Sequence, residues 1–150
     1  MEAVIFTGIQ ASGKSSFYKA QFFDTHIRIN LDMLKTRNRE DILLNACLRM
    51  KQRFVVDNTN PTAADRIKYI QAARLARFEI VGYFFAADPQ DAILRNGERL
   101  GKARVPSLAI TITHRKLQPP TYEEGFNRLY SVRAVEGGGF DVQEWPRPLT

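Results

Sequence analysis

Short apolar runs alternate with longer amphipathic stretches along much of the chain. The apolar runs read "AVIFT", "HIRIN", "RFVVD" and "FEIVGYFFA", and the stretches between them carry apolar residues at helical spacing. Parallel strands that neighbour each other in a sheet need crossover connections, which are usually helices. The alternation therefore predicts an α/β fold in which a central, mostly parallel sheet is flanked by helices. We expect "HIRIN" to lie directly beside the first strand.

Start signals mark two later helices. Thr62 and Asp65 have the spacing of a capping box, which predicts a helix from that point. In "DPQDAILRNGERL", Pro89 stands where the first turn of a helix tolerates proline, and the segment runs into the basic "GKARVP". We expect a helical lid over about residues 89–106 and a further strand at about 128–135.

Composition limits the class of protein without indicating a function. The chain has 150 residues, of which 44% are hydrophobic and 25% are charged, so residues 1–150 are expected to form a single domain. No apolar run approaches the length that spans a bilayer, and the N-terminus does not resemble a signal peptide. We therefore expect a cytoplasmic protein without a membrane partner. The single cysteine, Cys47, is expected to be a buried, unpaired side chain.

The net charge of the chain is positive. Lysine and arginine number 22 against 16 acidic residues, which gives a formal charge of +6. A group of four basic residues lies within one short segment, at Arg95, Arg99, Lys102 and Arg104. This balance favours an anionic partner, although solvated helix faces explain the same composition.

The segment "GIQASGKSS" directly follows the first predicted strand and has the spacing of a phosphate-binding loop. Gly8 and Gly13 allow the backbone to curl so that its N–H groups point at phosphate oxygens. Lys14 is predicted to reach the β- and γ-phosphates of ATP or another nucleoside triphosphate, and the Ser15 hydroxyl to bind Mg²⁺. Ser16 completes the predicted nucleotide-binding set. The loop indicates nucleotide binding but does not identify a phosphate acceptor.

The segment "NLDMLK" follows the second strand at the edge of the sheet where α/β folds bind ligands. Asp32 can accept the proton of a hydroxyl that attacks the γ-phosphate, or it can complement a helix dipole. Lys35, predicted on the same helix face as Asp32, can hold a second phosphate or remain a solvated surface lysine. The residues alone leave both pairs of alternatives open.

The third predicted strand, "RFVVD", runs into "NTNP". Asp57 stands where an acid at the end of a strand often helps to hold Mg²⁺. The same run, with Asn58 and Thr59, can instead form a turn that satisfies its own backbone. A dual role is compatible with this position.

Two arginines of the predicted lid are four residues apart and are expected to project to one side of a helix. An arginine that closes over a triphosphate neutralises charge on the transferred phosphoryl group. Arg95 has Asp91 one turn earlier as a possible ion-pair partner, whereas Arg99 has no acid at that spacing. Arg99 is therefore the better candidate, and Arg95 is assigned to nucleotide binding.

Taken together, these motifs resemble the kinase domain of the 5′-hydroxyl polynucleotide kinases, the end-healing enzymes of nucleic-acid repair. "GIQASGKSS", "NLDMLK", "VVDNTNPT", "RNGERLGKARVP" and "PTYEEGF" come in the order of that family, over about residues 3–134. The last three motifs most resemble the polynucleotide kinase/phosphatase branch. The resemblance implies a three-layer P-loop kinase fold, ATP and Mg²⁺ as cofactors, and DNA or RNA with a 5′-hydroxyl end as the acceptor.

The resemblance also implies roles for individual residues. Asp32 corresponds to the general base, Lys14 and Ser15 to the groups at the donor phosphates and Mg²⁺, and Arg99 to the lid arginine. Residues 57–59 correspond to a segment that faces the acceptor nucleotide or the metal-bound waters.

One substrate-contacting position departs from the family, and other functions stay open. Where some relatives have an arginine three residues after the base, which contacts an acceptor phosphate, this chain has Lys35, so Lys35 or Arg37 is expected to make that contact. A P-loop kinase of a nucleoside, sugar or antibiotic would use the same donor loop and lid. A non-catalytic nucleotide-binding module is the third alternative.

Overall fold

The structure of the protein is a computed structural model that describes residues 1–101 and 104–148. Lys102, one of the four basic residues of the predicted lid, lies outside the described residues. Strands and helices alternate in chain order as β1 (Glu2–Thr7), α1 (Lys14–Gln21), β2 (Ile27–Ile29), α2 (Leu31–Leu34), α3 (Arg37–Arg49), β3 (Phe54–Val56), α4 (Ala63–Leu75), β4 (Glu79–Phe85), α5 (Pro89–Gly97), α6 (Ser107–Lys116), β5 (Arg128–Ala134) and β6 (Phe140–Glu144). The predicted α/β fold is confirmed. Among the described helices, none combines the length and hydropathy needed to cross a membrane.

The six strands form one sheet in the order β2-β3-β1-β4-β5-β6, and only β6 runs antiparallel to its neighbour. The expectation that β2 lies beside β1 is wrong, because β3 pairs with both of them. β2 and β3 are both short strands followed by polar residues, so their sequences do not specify which one takes the central place. The edge strand β6 was not predicted, because most of its residues are exposed and it lacks a strong apolar pattern.

Alternate side chains of the central strands pack on opposite faces of the sheet. Ala3 and Ile5 join the cluster that contains side chains of α3 and α4, whereas Val4 and Phe6 join the cluster that contains side chains of α1. This alternation is the period of a strand that is buried on both faces. Cys47 lies in the first cluster, is completely buried and is unpaired, as predicted.

A third apolar cluster connects the phosphate-binding loop to the two helices after β4. Ile9 and Ala11 of the loop pack with Ala92 of α5 and Ile110 of α6, and all four side chains are buried. The loop is therefore covered on one side by α5 and α6. Gln10 adds a polar contact, since its Nε2 donates to Thr113 Oγ1 of α6 at 3.0 Å.

The end of α5 differs from the sequence prediction. The helix ends at Gly97, so Arg99 lies beyond it and does not share a helix face with Arg95. Asn96, which is only 2% exposed, turns the chain here: its Oδ1 accepts from the Val105 N–H at 2.8 Å and its Nδ2 donates to the Val105 carbonyl at 2.5 Å. One buried amide thus joins the end of α5 to the segment that leads into α6.

Replacing Asn96 with alanine is expected to loosen this connection. The variant loses two hydrogen bonds and leaves the polar groups of Val105 without their partner, so we expect the free energy of unfolding to fall by about 1–3 kcal/mol. Amide hydrogen exchange followed by mass spectrometry should speed up in α5 and α6 before it changes in the sheet. Asn38→Ala, at an exposed position of α3, is the matched control. Equal protection of α5 and α6 in the wild type and Asn96→Ala would contradict this role.

Candidate active site

The loop between β1 and α1 holds a buried lysine against its own backbone. Gly13 has a φ of 101°, a left-handed conformation that glycine adopts without a steric penalty, and it directly precedes α1. Lys14 Nζ donates to the carbonyl oxygens of Gly8 at 3.0 Å and Ile9 at 2.6 Å. Burial lowers the pKa of Lys14 to about 8, an effect that Asp57 partly opposes. The phosphates of a nucleotide bound in the loop would give the Lys14 ammonium an anionic partner and so favour its charged form.

A comparison of wild type with Lys14→Met should expose the cost of this burial. The pKa of Lys14 is lower in the folded protein, at about 8, than its ordinary value of 10.5, so between these pH values the unfolded state binds more protons. The free energy of unfolding of the wild type, relative to Lys14→Met, is therefore expected to rise with pH in this window, with a slope of about 1 kcal/mol per pH unit. Urea unfolding at several pH values measures the difference. A difference that does not change with pH would contradict the lowered pKa.

An arginine, a serine and an aspartate meet where β2 and β3 end beside the start of α1. Ser15 Oγ donates to Asp57 Oδ2 at 3.0 Å. Arg28 of β2 donates from Nε to the same Asp57 oxygen at 2.8 Å and from Nη2 to Ser15 Oγ at 2.9 Å. Sequence reasoning missed Arg28, although a charged residue inside the apolar strand "HIRIN" is a signal of a polar environment.

The oxygen atoms of Ser15 and Asp57 suit Mg²⁺, which prefers hard oxygen ligands. Within the described residues, no group of three or more His, Cys, Asp or Glu side chains has the arrangement of a metal site. Two protein oxygens suit a site at which phosphate oxygens and water would supply the other ligands, because Mg²⁺ usually keeps several waters and binds through one or two carboxylates and substrate phosphates.

Asp32 lies on α2, a four-residue helix that follows β2. Asn30 caps this helix, because its side-chain oxygen accepts from the Met33 N–H at 2.9 Å, and its Nδ2 donates to the Asp57 carbonyl at 2.6 Å. The Asp32 side chain is exposed and lines the same cleft as Lys14. Lys35 also lines the cleft, but it follows α2 with a φ of 77°, so the prediction that it shares a helix face with Asp32 is wrong.

Asn58 connects α2 to a buried acid that the sequence did not reveal. Its Oδ1 accepts from the Leu31 N–H at 2.9 Å and its Nδ2 donates to Glu40 Oε2 at 3.0 Å. The completely buried Glu40 also accepts hydrogen bonds from Arg37, Lys68 and Tyr69. Burial raises the pKa of Glu40, but these hydrogen bonds outweigh it and hold the pKa below its ordinary value. Asn58 therefore anchors the start of the helix that carries Asp32.

The segment after β3 is also attached to the phosphate-binding loop. The Gly8 N–H donates to the Thr59 carbonyl at 3.0 Å, and Asn60 Nδ2 donates to the Phe6 carbonyl at 2.8 Å. These bonds join the end of β1 to the end of β3. The alternative that "DNTNP" forms a turn satisfying its own backbone is wrong, because its polar groups bond to β1 and to the start of α2. The run forms part of the wall of the site.

The cleft at this edge of the sheet has a volume of about 790 Å³. Nine residues predicted for the site line it, namely Lys14, Ser15, Asp32, Lys35, its alternative Arg37, Asp57, Asn58, Thr59 and Arg99. Four others have different places in the described structure. Gly8 is buried, and a side chain there would approach Phe85 Cβ to 2.8 Å. Gly13 caps α1, Ser16 is exposed on α1, and Arg95 is half-buried on α5.

No protein-family model matches the chain. The bifunctional polynucleotide phosphatase/kinase of Schizosaccharomyces pombe is 28% identical over 137 residues, which cover 87% of this chain and 33% of that protein. A relative from Acanthamoeba polyphaga mimivirus, named for the same two activities, is 26% identical over 97% of this chain and 37% of its own length. The chain thus spans about a third of the length of these curated relatives. It resembles bifunctional polynucleotide phosphatase/kinases over most of its own length.

Solved structures share the architecture at lower identity. A gluconokinase from Sinorhizobium meliloti 1021 is 19% identical with a TM-score of 0.61, over 87% of this chain and 81% of that one. Kti12 of Chaetomium thermophilum, solved with ADP-AlF3, is 15% identical with a TM-score of 0.64, over 87% of this chain and 88% of that one. The chain has a P-loop kinase fold.

A buried ion pair joins two of the segments whose sequences resemble polynucleotide kinase motifs, "DNTNPT" and "PTYEEGF". Arg66 of α4 is completely buried and donates to both carboxylate oxygens of Glu124, at 2.7 and 3.1 Å. Its Nη1 donates to the Asn60 carbonyl at 3.0 Å. Arg66 therefore connects "DNTNPT" to "PTYEEGF".

Proposed function

We propose that this P-loop kinase domain transfers the γ-phosphate of ATP to the 5′-hydroxyl end of DNA or RNA, in a reaction that depends on Mg²⁺. The observation that carries the proposal is that Lys14, Asp32 and Arg99 line one cleft. A lysine for the donor phosphates, an acid for the attacking hydroxyl and an arginine for the transferred group are the parts that phosphoryl transfer requires. The names of the two curated relatives support a polynucleotide as the acceptor.

The donor half of the site consists of the loop, Ser15 and Asp57. The loop backbone and the N-terminal end of α1 would hold the phosphates, because N–H groups and the helix dipole both favour negative charge there. Ser15 and Asp57 would hold Mg²⁺, which when bound neutralises charge on the β- and γ-phosphates. Lys14 would turn from the loop carbonyls towards the phosphate oxygens.

The acceptor half consists of Asp32 and the lid arginine. Asp32 would accept the proton of the 5′-hydroxyl as the oxygen attacks the γ-phosphate. Arg99, in the proposed lid over about residues 89–106, would neutralise the transferred group, and arginines in this role raise rates by about 10³–10⁵.

The cations of the cleft favour an acceptor that carries phosphates. Lys35, Arg37 and Lys116 line it in addition to Lys14 and Arg99. The phosphates of a phosphodiester backbone would form ion pairs with these side chains, whereas a neutral sugar or nucleoside has no charge to pair with them. Asn58 and Thr59, at the cleft wall, are proposed to face the acceptor nucleotide.

A labelling assay tests this function. The purified protein is incubated with γ-labelled ATP and Mg²⁺ and offered DNA and RNA oligonucleotides with a 5′-hydroxyl end, the same oligonucleotides with a 5′-phosphate, and a panel of nucleosides and sugars. We expect label on the 5′-hydroxyl oligonucleotides alone. Label on nucleosides or sugars alone would identify a metabolite kinase, and no label on any acceptor would support a non-catalytic nucleotide-binding module.

A further inference from the structure

Arg28 makes its two charge-assisted contacts with the two side chains that suit Mg²⁺. Its Nε lies 2.8 Å from Asp57 Oδ2 and its Nη2 lies 2.9 Å from Ser15 Oγ. The Asp57 side chain is 1% exposed, and the Arg28 guanidinium forms a direct ion pair with this buried carboxylate. β2 is also joined to the sheet by backbone pairing with β3, which does not involve the Arg28 side chain.

The guanidinium and a divalent ion have competing demands on these atoms. Arg28 donates to lone pairs of Ser15 Oγ and Asp57 Oδ2, and Mg²⁺ would need oxygen lone pairs of the same two side chains. A divalent ion beside an unmoved guanidinium would also be repelled by its positive charge. This repulsion makes the ion and the present position of Arg28 alternatives.

The location of Arg28 at the edge of the cleft allows its guanidinium to move away from Ser15 and Asp57. Its side chain is 27% exposed and lines the cleft, so the guanidinium can move towards solvent or phosphate oxygens without becoming a buried, unpaired charge. Arg66 shows the contrasting case of a structural arginine, because it is completely buried and donates to both carboxylate oxygens of Glu124. Arg28 has the same chemistry in an accessible place.

We propose that Arg28 is a placeholder cation that competes with Mg²⁺ for Ser15 and Asp57, so that the ion binds tightly only together with a nucleotide. The phosphate oxygens of the nucleotide would add ligands to the ion and attract the displaced guanidinium. This inference rests on the proposed Mg²⁺ site, but it needs neither phosphoryl transfer nor a polynucleotide acceptor. Its consequence is that nucleotide binding, and not the concentration of Mg²⁺ alone, loads the metal site.

Manganese binding measured by electron paramagnetic resonance tests the proposal, because free and bound Mn²⁺ give different signals. The intact chain is titrated with Mn²⁺ without nucleotide and with saturating ADP. We expect Arg28→Gln to bind Mn²⁺ at least tenfold more tightly than the wild type without nucleotide. Adding Asp57→Asn to Arg28→Gln should remove the gain. Arg53→Gln, which deletes an exposed charge just before the other end of β3, should behave as the wild type.

Two outcomes separate failure of the inference from failure of the metal site. If Arg28→Gln binds Mn²⁺ no more tightly than the wild type, while Asp57→Asn weakens binding in the presence of ADP, Arg28 is only a structural partner. If Asp57→Asn does not change the affinity for Mn²⁺ in the presence of ADP either, Asp57 does not bind the metal. The proposed metal site and the inference about Arg28 are then both wrong. If Arg28→Gln does not fold, Arg28→Lys provides a second test, because it keeps the positive charge but loses the contact with Ser15 Oγ. It should bind Mn²⁺ at least threefold more tightly than the wild type, and an unchanged affinity would overturn the proposal.

Discussion

Replacing Asp32 with asparagine is expected to lower the rate of the proposed phosphoryl transfer by about 10²–10⁴-fold, the usual contribution of a positioned general base. The amide has nearly the same shape as the carboxylate but cannot take the proton of the attacking hydroxyl. Asp32 is exposed at the cleft, and the hydrogen bonds of α2 come from Asn30 and Asn58, so the fold is expected to persist. Steady-state transfer of label from ATP to a 5′-hydroxyl oligonucleotide measures the effect.

The control for this variant is Asp24→Asn, which makes the same change at an exposed position before β2. It should retain the wild-type rate. The affinity for ADP, measured by calorimetry, should differ little between Asp32→Asn and the wild type, because Asp32 is assigned to the acceptor and not to the donor. Near wild-type turnover of Asp32→Asn would remove Asp32 from the role of base.

Replacing Glu124 with alanine is expected to lower the free energy of unfolding by about 3–5 kcal/mol, the typical loss when one partner of a buried ion pair is removed. The reason is that Arg66, with no exposed surface, keeps its charge but loses both carboxylate contacts. Glu124 also accepts from the Thr121 N–H at 2.8 Å, so the short 3₁₀ turn Tyr122–Glu124 loses its cap as well. Denaturant unfolding followed by circular dichroism measures the difference.

Glu123→Ala is the matched control, because Glu123 is the exposed neighbour in the same turn. It should change stability by less than about 0.5 kcal/mol, as most surface substitutions do. The double variant Arg66→Met/Glu124→Met should recover much of the stability, since it removes the stranded charge together with its partner. A loss for Glu124→Ala no larger than that for Glu123→Ala would show that the ion pair is not a major contribution.

The proposed donor side of the site could be predicted from local sequence. Gly13, Lys14 and Ser15 are adjacent in the chain, and a strand followed by a helix positions them without help from distant residues. The left-handed φ of Gly13 is a local requirement that glycine meets directly. The helix start at Thr62 was predictable for the same reason, because a capping box is formed within four consecutive residues.

The partners of these residues were not predictable from spacing. Arg28 meets Ser15 and Asp57 only because β2 and β3 are paired in the sheet, and that pairing differs from the expected order. The position of Arg99 depends on where α5 ends. Near that end, the buried Asn96 side chain accepts a hydrogen bond from the Val105 N–H and so joins α5 to the segment before α6. Contacts between residues far apart in sequence have no local signature.

The sequence by itself determined the alternation of strands and helices, the phosphate-binding loop and the identity of the chemical groups, since these depend on periodicity and on residues that are neighbours in the chain. Only the tertiary structure decided the strand order, the edge strand β6, the buried Glu40 behind Asn58, and the placement of Asp32, Lys14 and Arg99 along one cleft. The physical reason is that parallel strands bring their carboxyl ends to one edge of the sheet whatever their order, while the order itself depends on side-chain packing across both faces.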